Sequence, residues 1–131
     1  TSLLSQFPTD IVCLGIGENG HIAFNDPDVA NFNDHKLVKI VKLDHVCRQQ
    51  QVNEKCFETL EQVPTEALTL TIPALLKAKW MFCIVPFKNK SQAVYRTIHG
   101  DISEKCPASI LRRKEKSSLY LDTESAQLLN L

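Results

Sequence analysis

The residues able to do chemistry crowd into one stretch, Leu14-Gly15-Ile16-Gly17-Glu18-Asn19-Gly20-His21-Ile22-Ala23-Phe24-Asn25-Asp26-Pro27. Gly15, Gly17 and Gly20 permit backbone conformations and a close ligand approach that a Cβ would block. His21 follows the last glycine, and Asp26 lies five residues on, near enough to fold back and orient the imidazole. A histidine held by a carboxylate is a proton-transfer unit near neutral pH. Asn19 and Asn25 offer hydrogen bonds to a polyhydroxylated ligand, or pin the loop through Asx turns. Taken alone, the glycines also describe a tight turn beside an exposed histidine. They are a poor dinucleotide fingerprint, because His21 stands directly after them with no convincing helix or ribose-binding acid downstream. Asp44 has about the right separation, but Asn25-Asp26-Pro27 interrupts the strand–helix–strand unit that such a fingerprint needs.

The flanking segments must position this loop. Asp10–Gly15 is a short apolar, β-branched run ending at glycine, which predicts a buried strand delivering the loop at its carboxyl end. Leu37–Leu43 reads as a strand broken by two lysines. Asp44 then caps a helix expected through Phe57, carrying Val46, Gln49, Gln50 and Asn53. Pro64 marks a turn and Ala67–Thr71 a further strand, after which Pro73 opens a helix through Leu75, Leu76 and Ala78. Trp80–Val85 is the most apolar run, predicted to be a central parallel strand with both faces covered. A helix over Ser91–His99 closed by Gly100, a short helix over Pro107–Arg113, a strand over Ser118–Leu121 and a C-terminal helix over Thr123–Leu129 complete the reading. Strands alternating with helices predict a single α/β domain over 1–131 with a largely parallel sheet. Barely ten residues precede the first core strand, so the sheet is expected to lack its first half.

Composition narrows the functional classes. Fifteen Lys+Arg balance fifteen Asp+Glu over 131 residues, which lacks the basic footprint of a dedicated nucleic-acid binder. No apolar run approaches the ~20 residues of a membrane span, and the N-terminal stretch lacks the layout of a signal peptide. Cys13, Cys47, Cys56, Cys83 and Cys106 are odd in number and have neither CxxC nor zinc-finger spacing. A reduced, cytoplasmic protein without a structural metal is the expectation. His35, His45 and His99 share no ligand spacing with His21. Lys39, Lys42, Arg112, Arg113, Lys114 and Lys116 read as solvated faces, and Trp80, Phe82 and Phe87 as core or pocket wall.

GIGENGHIAFNDP resembles the G-x-G-x-D-G-H-I-A-F-N-E-P signature of the glucosamine-6-phosphate deaminase/isomerase family. The likeness continues through Val63-Pro64-Thr65-Glu66-Ala67-Leu68-Thr69, Leu75-Leu76-Lys77-Ala78 and Lys90, covering Asp10 to about Leu121. It implies a Rossmann-like three-layer α/β/α fold, of which this chain is the C-terminal portion. The reaction implied converts glucosamine 6-phosphate and water into fructose 6-phosphate and ammonia, without a cofactor or metal. His21 would shuttle a proton at the sugar ring oxygen, with Asp26 and Asn19 in its relay. Gly15, Gly17, Gly20 and Asn25 would shape the substrate site. Lys90 would bind the phosphate, with Arg48 the nearest counterpart of the family's second phosphate ligand. Two residues depart from the pattern: Asp26 stands for Glu, and Asn19 for an Asp, replacing a charge with an amide. The family's C2 base and phosphate loop lie upstream of the signature, so the chain is expected to be inactive alone and to associate with the upstream half or with copies of itself. A 6-phosphogluconolactonase-like hydrolase and a non-catalytic sugar-phosphate-binding module are the alternatives. The HIAFN continuation favours the deaminase, whereas Asn19 and the absent upstream half motivate the binding module.

Overall fold

The computed structural model describes residues 1–130. A three-stranded parallel sheet forms the centre, in the order β1 (Ile11–Leu14), β4 (Trp80–Val85), β5 (Ser117–Leu121). Leu14 pairs with Cys83, and Ile84 with Tyr120, so all three strands end on one side. Trp80–Val85 is therefore the central strand, as its apolar run predicts. Met81, Cys83 and Val85 point to one face and are almost fully buried. They pack with Ile72 and Leu75 of α3 (Ile72–Leu76), Ala93 and Val94 of α4 (Ser91–His99), and Ala108, Ile110 and Leu111 of a 3-10 segment over Pro107–Arg113. Each such large side chain contributes roughly 1.5–3 kcal/mol on burial. Burial pushes the Cys83 thiol up to about 12, leaving it an inert hydrophobe.

Among the described residues the other face of the sheet is largely uncovered, with only the Lys116 ammonium over the Trp80 ring at 4.8 Å, contrary to the expectation that both faces are covered. Ile11, Trp80, Ile84 and Tyr120 are 55%, 40%, 49% and 53% exposed there. An apolar run records that both faces want cover, not that this chain supplies it.

The expectation of a largely parallel sheet holds for the central strands only. β2 (Val38–Lys42) and β3 (Glu66–Leu70) form a separate antiparallel ribbon, with Ile40 opposite Leu68. Ile40 and Lys42 of β2 face solvent, the usual state of one side of an antiparallel pair, but Lys39, expected on a solvated face, is only 14% exposed and its Nζ donates to the Val29 carbonyl and to Asp34 Oδ2. Between them runs α2 (His45–Asn53), capped by Asp44, whose carboxylate accepts from the Cys47 amide. It stops short of Phe57 because Lys55 takes a left-handed φ of 60°. The Cys56 and Lys55 amides then bond back to the Gln51 and Val52 carbonyls, closing the helix as a Schellman motif. A short N-terminal helix, α1 (Ser2–Gln6), was not foreseen.

The C-terminal helix is also absent: 123–129 is a run of turns. Asp122 caps the Ser125 amide, but the Ser125 hydroxyl bonds back to the Asp122 carbonyl. Local side-chain bonds of this kind compete with helix propagation in a segment too short to bear nucleation.

α3 depends on Thr71, which is fully buried; its hydroxyl accepts from the Ala74 amide and donates to the Lys36 carbonyl. Thr71→Ala removes the cap and orphans a carbonyl, so unfolding free energy falls by about 1–2 kcal/mol while Thr71→Ser retains most of it; urea denaturation of the two variants checks this.

Candidate active site

The loop leaves β1 at Leu14 and turns back on itself. The Gly17 amide donates to the His21 carbonyl and the Gly20 amide to the Gly17 carbonyl. Gly20 has a φ of +88°, and a Cβ there would come within 2.8 Å of Cys106 Sγ. At Gly17 a Cβ would collide with the His21 ring, so the imidazole rests directly on that glycine. Gly15 has no such constraint; its Cβ position is 3.5 Å from the Ile84 carbonyl.

His21, Asn19 and Asp26 meet as the sequence suggests. Asn19 Oδ1 lies 2.7 Å from His21 Nδ1 and accepts from the His21 amide at 3.0 Å. Asp26 Oδ1 lies 3.1 Å from the same ring nitrogen. Asn19 Nδ2 donates to Asp26 Oδ1 at 3.1 Å and to Asp44 Oδ2 at 2.7 Å, which settles the orientation of the amide. Two acceptors facing Nδ1 place the proton of the neutral ring there and leave Nε2 with its lone pair. Asp26 is completely buried and also accepts the Asp44 amide on Oδ2. Burial alone would raise its pKa. The bonds from His21, Asn19 and the Asp44 amide, with the histidine's charge, outweigh that and hold it below the ordinary carboxylate value. Asp26 is thus a fixed anion that orients His21.

This geometry also accounts for an amide at position 19. A carboxylate there would lose both Nδ2 donors and set three carboxyl groups, at 19, 26 and 44, against one another.

A cavity of about 460 Å³ opens at the carboxyl ends of β1 and β4. It is lined by Gly15, Ile16, Gly17, His21, Ala23, Gln50, Glu54, Ile84, Val85, Pro86, Phe87 and Lys90. This is where open α/β sheets place ligands. Lys90 is buried at the start of α4, with Nζ 3.3 Å from Glu54 Oε1. Gln50 Oε1 accepts from the Glu18 amide at 3.0 Å, and Asn89 donates to Glu18 Oε1 at 2.8 Å, tying the rim together. Phe87 at the mouth holds φ 79°, ψ 147°, a region tolerated mainly by glycine, with its amide anchored on Asp122 Oδ2.

Three nominated substrate-site residues stand elsewhere. Gly20 does not line the cavity: it packs against Cys106, and its carbonyl accepts from the Ala108 amide. Arg48 Nη2 donates to the Leu60 and Val63 carbonyls at 2.8 and 3.1 Å, so it braces the 60–62 turn and does not line the cavity. On a helix it points away from Gln50 two residues later, whereas Gln50 and Glu54 share a face. Asn25 is fully buried and donates to the Ile22 and Leu70 carbonyls, pinning the loop to β3. Glu54, Gln50 and the bracing role of Asp44 were missed; only the 50/54 spacing on a capped helix signalled the first two.

His21, Asp26 and Cys47 bring three potential metal-ligand atoms within 4.8 Å of one another. They do not suit a metal. Nδ1 and both Asp26 oxygens are engaged, and burial together with the Asp26 and Asp44 charges pushes the Cys47 thiol up to about 12.

Residues 1–120 match the model of the family described as glucosamine-6-phosphate isomerases/6-phosphogluconolactonase. The chain belongs to this family. It is 39% identical over 127 residues to a glucosamine-6-phosphate deaminase of Listeria monocytogenes serotype 4a (strain HCC23), covering 97% of this chain and 52% of that one. A deaminase of the same name from Bacillus cereus (strain B4264) is 39% identical over 127 residues, 97% of this chain and 47% of that one. The chain thus spans about half the length of the curated relatives it matches. A solved monomeric glucosamine-6-phosphate deaminase superposes with a TM-score of 0.87 at 36% identity, over 97% of this chain and 51% of its own. A 6-phosphogluconolactonase from Trypanosoma cruzi superposes at 0.67 and 20% identity, over 95% and 43%, which carries the fold alone. Within the family, the resemblance read from the signature loop therefore falls on the deaminase side.

Gly17→Ala drives the imidazole off its seat: the His21 ring 15N resonances lose the Nδ1-protonated pattern while the far-ultraviolet circular dichroism is kept. Asp26 makes stability acid-sensitive. Its folded value lies below the unfolded one, so its contribution is complete above about pH 4 and is lost as pH falls through the native value. Denaturant titrations from about pH 5 down to about pH 3 show this decline, and Asp26→Asn flattens its share while costing about 1–3 kcal/mol at neutral pH.

Proposed function

We propose that this chain carries the ring-opening and phosphate-binding part of a hexosamine-6-phosphate deaminase/isomerase, acting on glucosamine 6-phosphate in amino-sugar metabolism. The observation that carries the reading is His21, held by Asn19 and Asp26 with Nε2 free, lining the same cavity as the buried Lys90. Lys90 Nζ would take the phosphate as a point charge. His21 Nε2 would accept the anomeric hydroxyl proton and return it to the ring oxygen, opening the pyranose. Asp26 stabilises the imidazolium in between and Asn19 keeps the ring oriented. The C2 proton must then move toward C1, the amine leave as ammonia and water enter at C2, giving the 2-ketose 6-phosphate. Among the described residues the titratable groups lining the cavity are His21, Glu54 and Lys90; His21 serves the ring oxygen and Glu54 is paired with Lys90 at the phosphate seat, so the group taking the C2 proton would be supplied from outside these residues.

The bare sheet face supports the same conclusion. Ile11, Trp80, Ile84 and Tyr120 form the surface on which the remaining half of the protein would pack, and without it the chain would self-associate. Five free cysteines fit a reducing, cytoplasmic setting, and no helix among the described residues is long and apolar enough to cross a membrane.

A coupled ammonia assay with glucosamine 6-phosphate tests the reading. The 131-residue chain alone gives no turnover, and the intact protein, or the chain rejoined with an upstream half, does. In the intact protein His21→Gln lowers kcat by about 10²–10⁴, and Lys90→Met raises KM. Turnover by the chain alone overturns the split-site account. Phosphosugar binding by the intact protein without ammonia release establishes the binding-module alternative.

A further inference from the structure

We propose that Glu54 is a built-in anion that occupies the phosphate seat and must be displaced by the ligand, so that it sets the affinity and selectivity of the site. The inference rests on the proposed role of Lys90. Lys90 and His21 are the cavity-lining residues able to carry positive charge, and the Lys90 side chain is only 8% exposed. A buried ammonium needs a partner, and Glu54 Oε1 provides it at 3.3 Å. Gln50 Nε2 donates to the same Oε1 at 2.9 Å, so the carboxylate is aimed at the seat from one turn along α2.

Three features make this carboxylate replaceable rather than structural. Its side chain is 44% exposed and can swing into water once an incoming anion takes over as the partner of Lys90. It stands at the C-cap of α2, where the helix dipole disfavours negative charge. A phosphate dianion outcompetes a single carboxylate for an ammonium, and once seated it repels Glu54 outward. A neutral sugar leaves the Lys90–Glu54 pair closed. Glu54 therefore lowers affinity for every anion and admits the more highly charged ones preferentially.

The test is calorimetric titration of inorganic phosphate into the intact protein, in four forms: wild type, Glu54→Gln, Lys90→Met and the double variant. Glu54→Gln tightens phosphate binding about threefold to tenfold. In the Lys90→Met background the same substitution changes binding by less than about twofold. Unchanged or weaker binding by Glu54→Gln overturns the inference, and so does an equal gain with and without Lys90, which would mean a general field effect. Circular dichroism and thermal melts confirm that each form is folded. The readout needs no turnover: absent ammonia release with the expected phosphate pattern sinks the deaminase reading alone, whereas phosphate binding indifferent to Lys90 sinks the seat itself.

Discussion

A carboxylate with no access to water organises this molecule. Asp26 is completely buried, an expensive place for a charge unless every lone pair is answered. It is answered by three groups from two separate segments: His21 and Asn19 in the glycine loop, and the Asp44 amide at the head of α2. The same contacts fix the ring of His21 and the start of the helix that carries Gln50 and Glu54 to the cavity. Asn19 is the hinge of this arrangement, since it alone offers an acceptor to the imidazole and donors to two carboxylates. The amide is a neutral joint between anions rather than a defect in a relay.

The rest of the fold serves that joint from one side of the sheet only. β4 drives Met81, Cys83 and Val85 into a well-filled layer beneath α4 and the 107–113 segment, whose Ala108 amide holds the Gly20 carbonyl. The loop is thereby braced from below and from α2. Beyond Val85 the chain takes a strained step at Phe87, held by Asp122 at the end of β5, and that step starts the turn leading to Lys90. Strain of this sort, about 1–3 kcal/mol, persists where surrounding structure over-determines it, and here it places the cation at the cavity. The opposite sheet face has no such partners within the described residues.

Much of this was legible in the residues. β1, the turn after it and the central position of Trp80–Val85 follow from short β-branched runs bounded by glycine and proline. The meeting of His21, Asn19 and Asp26 follows from their closeness in the chain. The misreadings share a cause. Arg48 and Asn25 are polar residues near a functional loop, and local sequence does not say whether such a group faces a ligand or a backbone carbonyl. Both were claimed by backbone carbonyls, at 60 and 63 and at 22 and 70. Residues 123–129 had helical composition, but too few residues to outlast the bonds between Asp122 and Ser125.

What the sequence by itself determined is therefore local: which runs form strands, where glycines let the backbone fold under a histidine, and which carboxylate is close enough to orient it. Tertiary structure decided the rest. Asp44 and Asp26 are 18 residues apart and Glu54 and Lys90 are 36 apart, so neither contact has a spacing from which to be read. Each arises because α2 borders the cavity at the carboxyl end of the sheet. Whether a charge becomes a fixed anion or a displaceable one depends on the water it can reach, and burial belongs to the assembled fold rather than to the order of its residues.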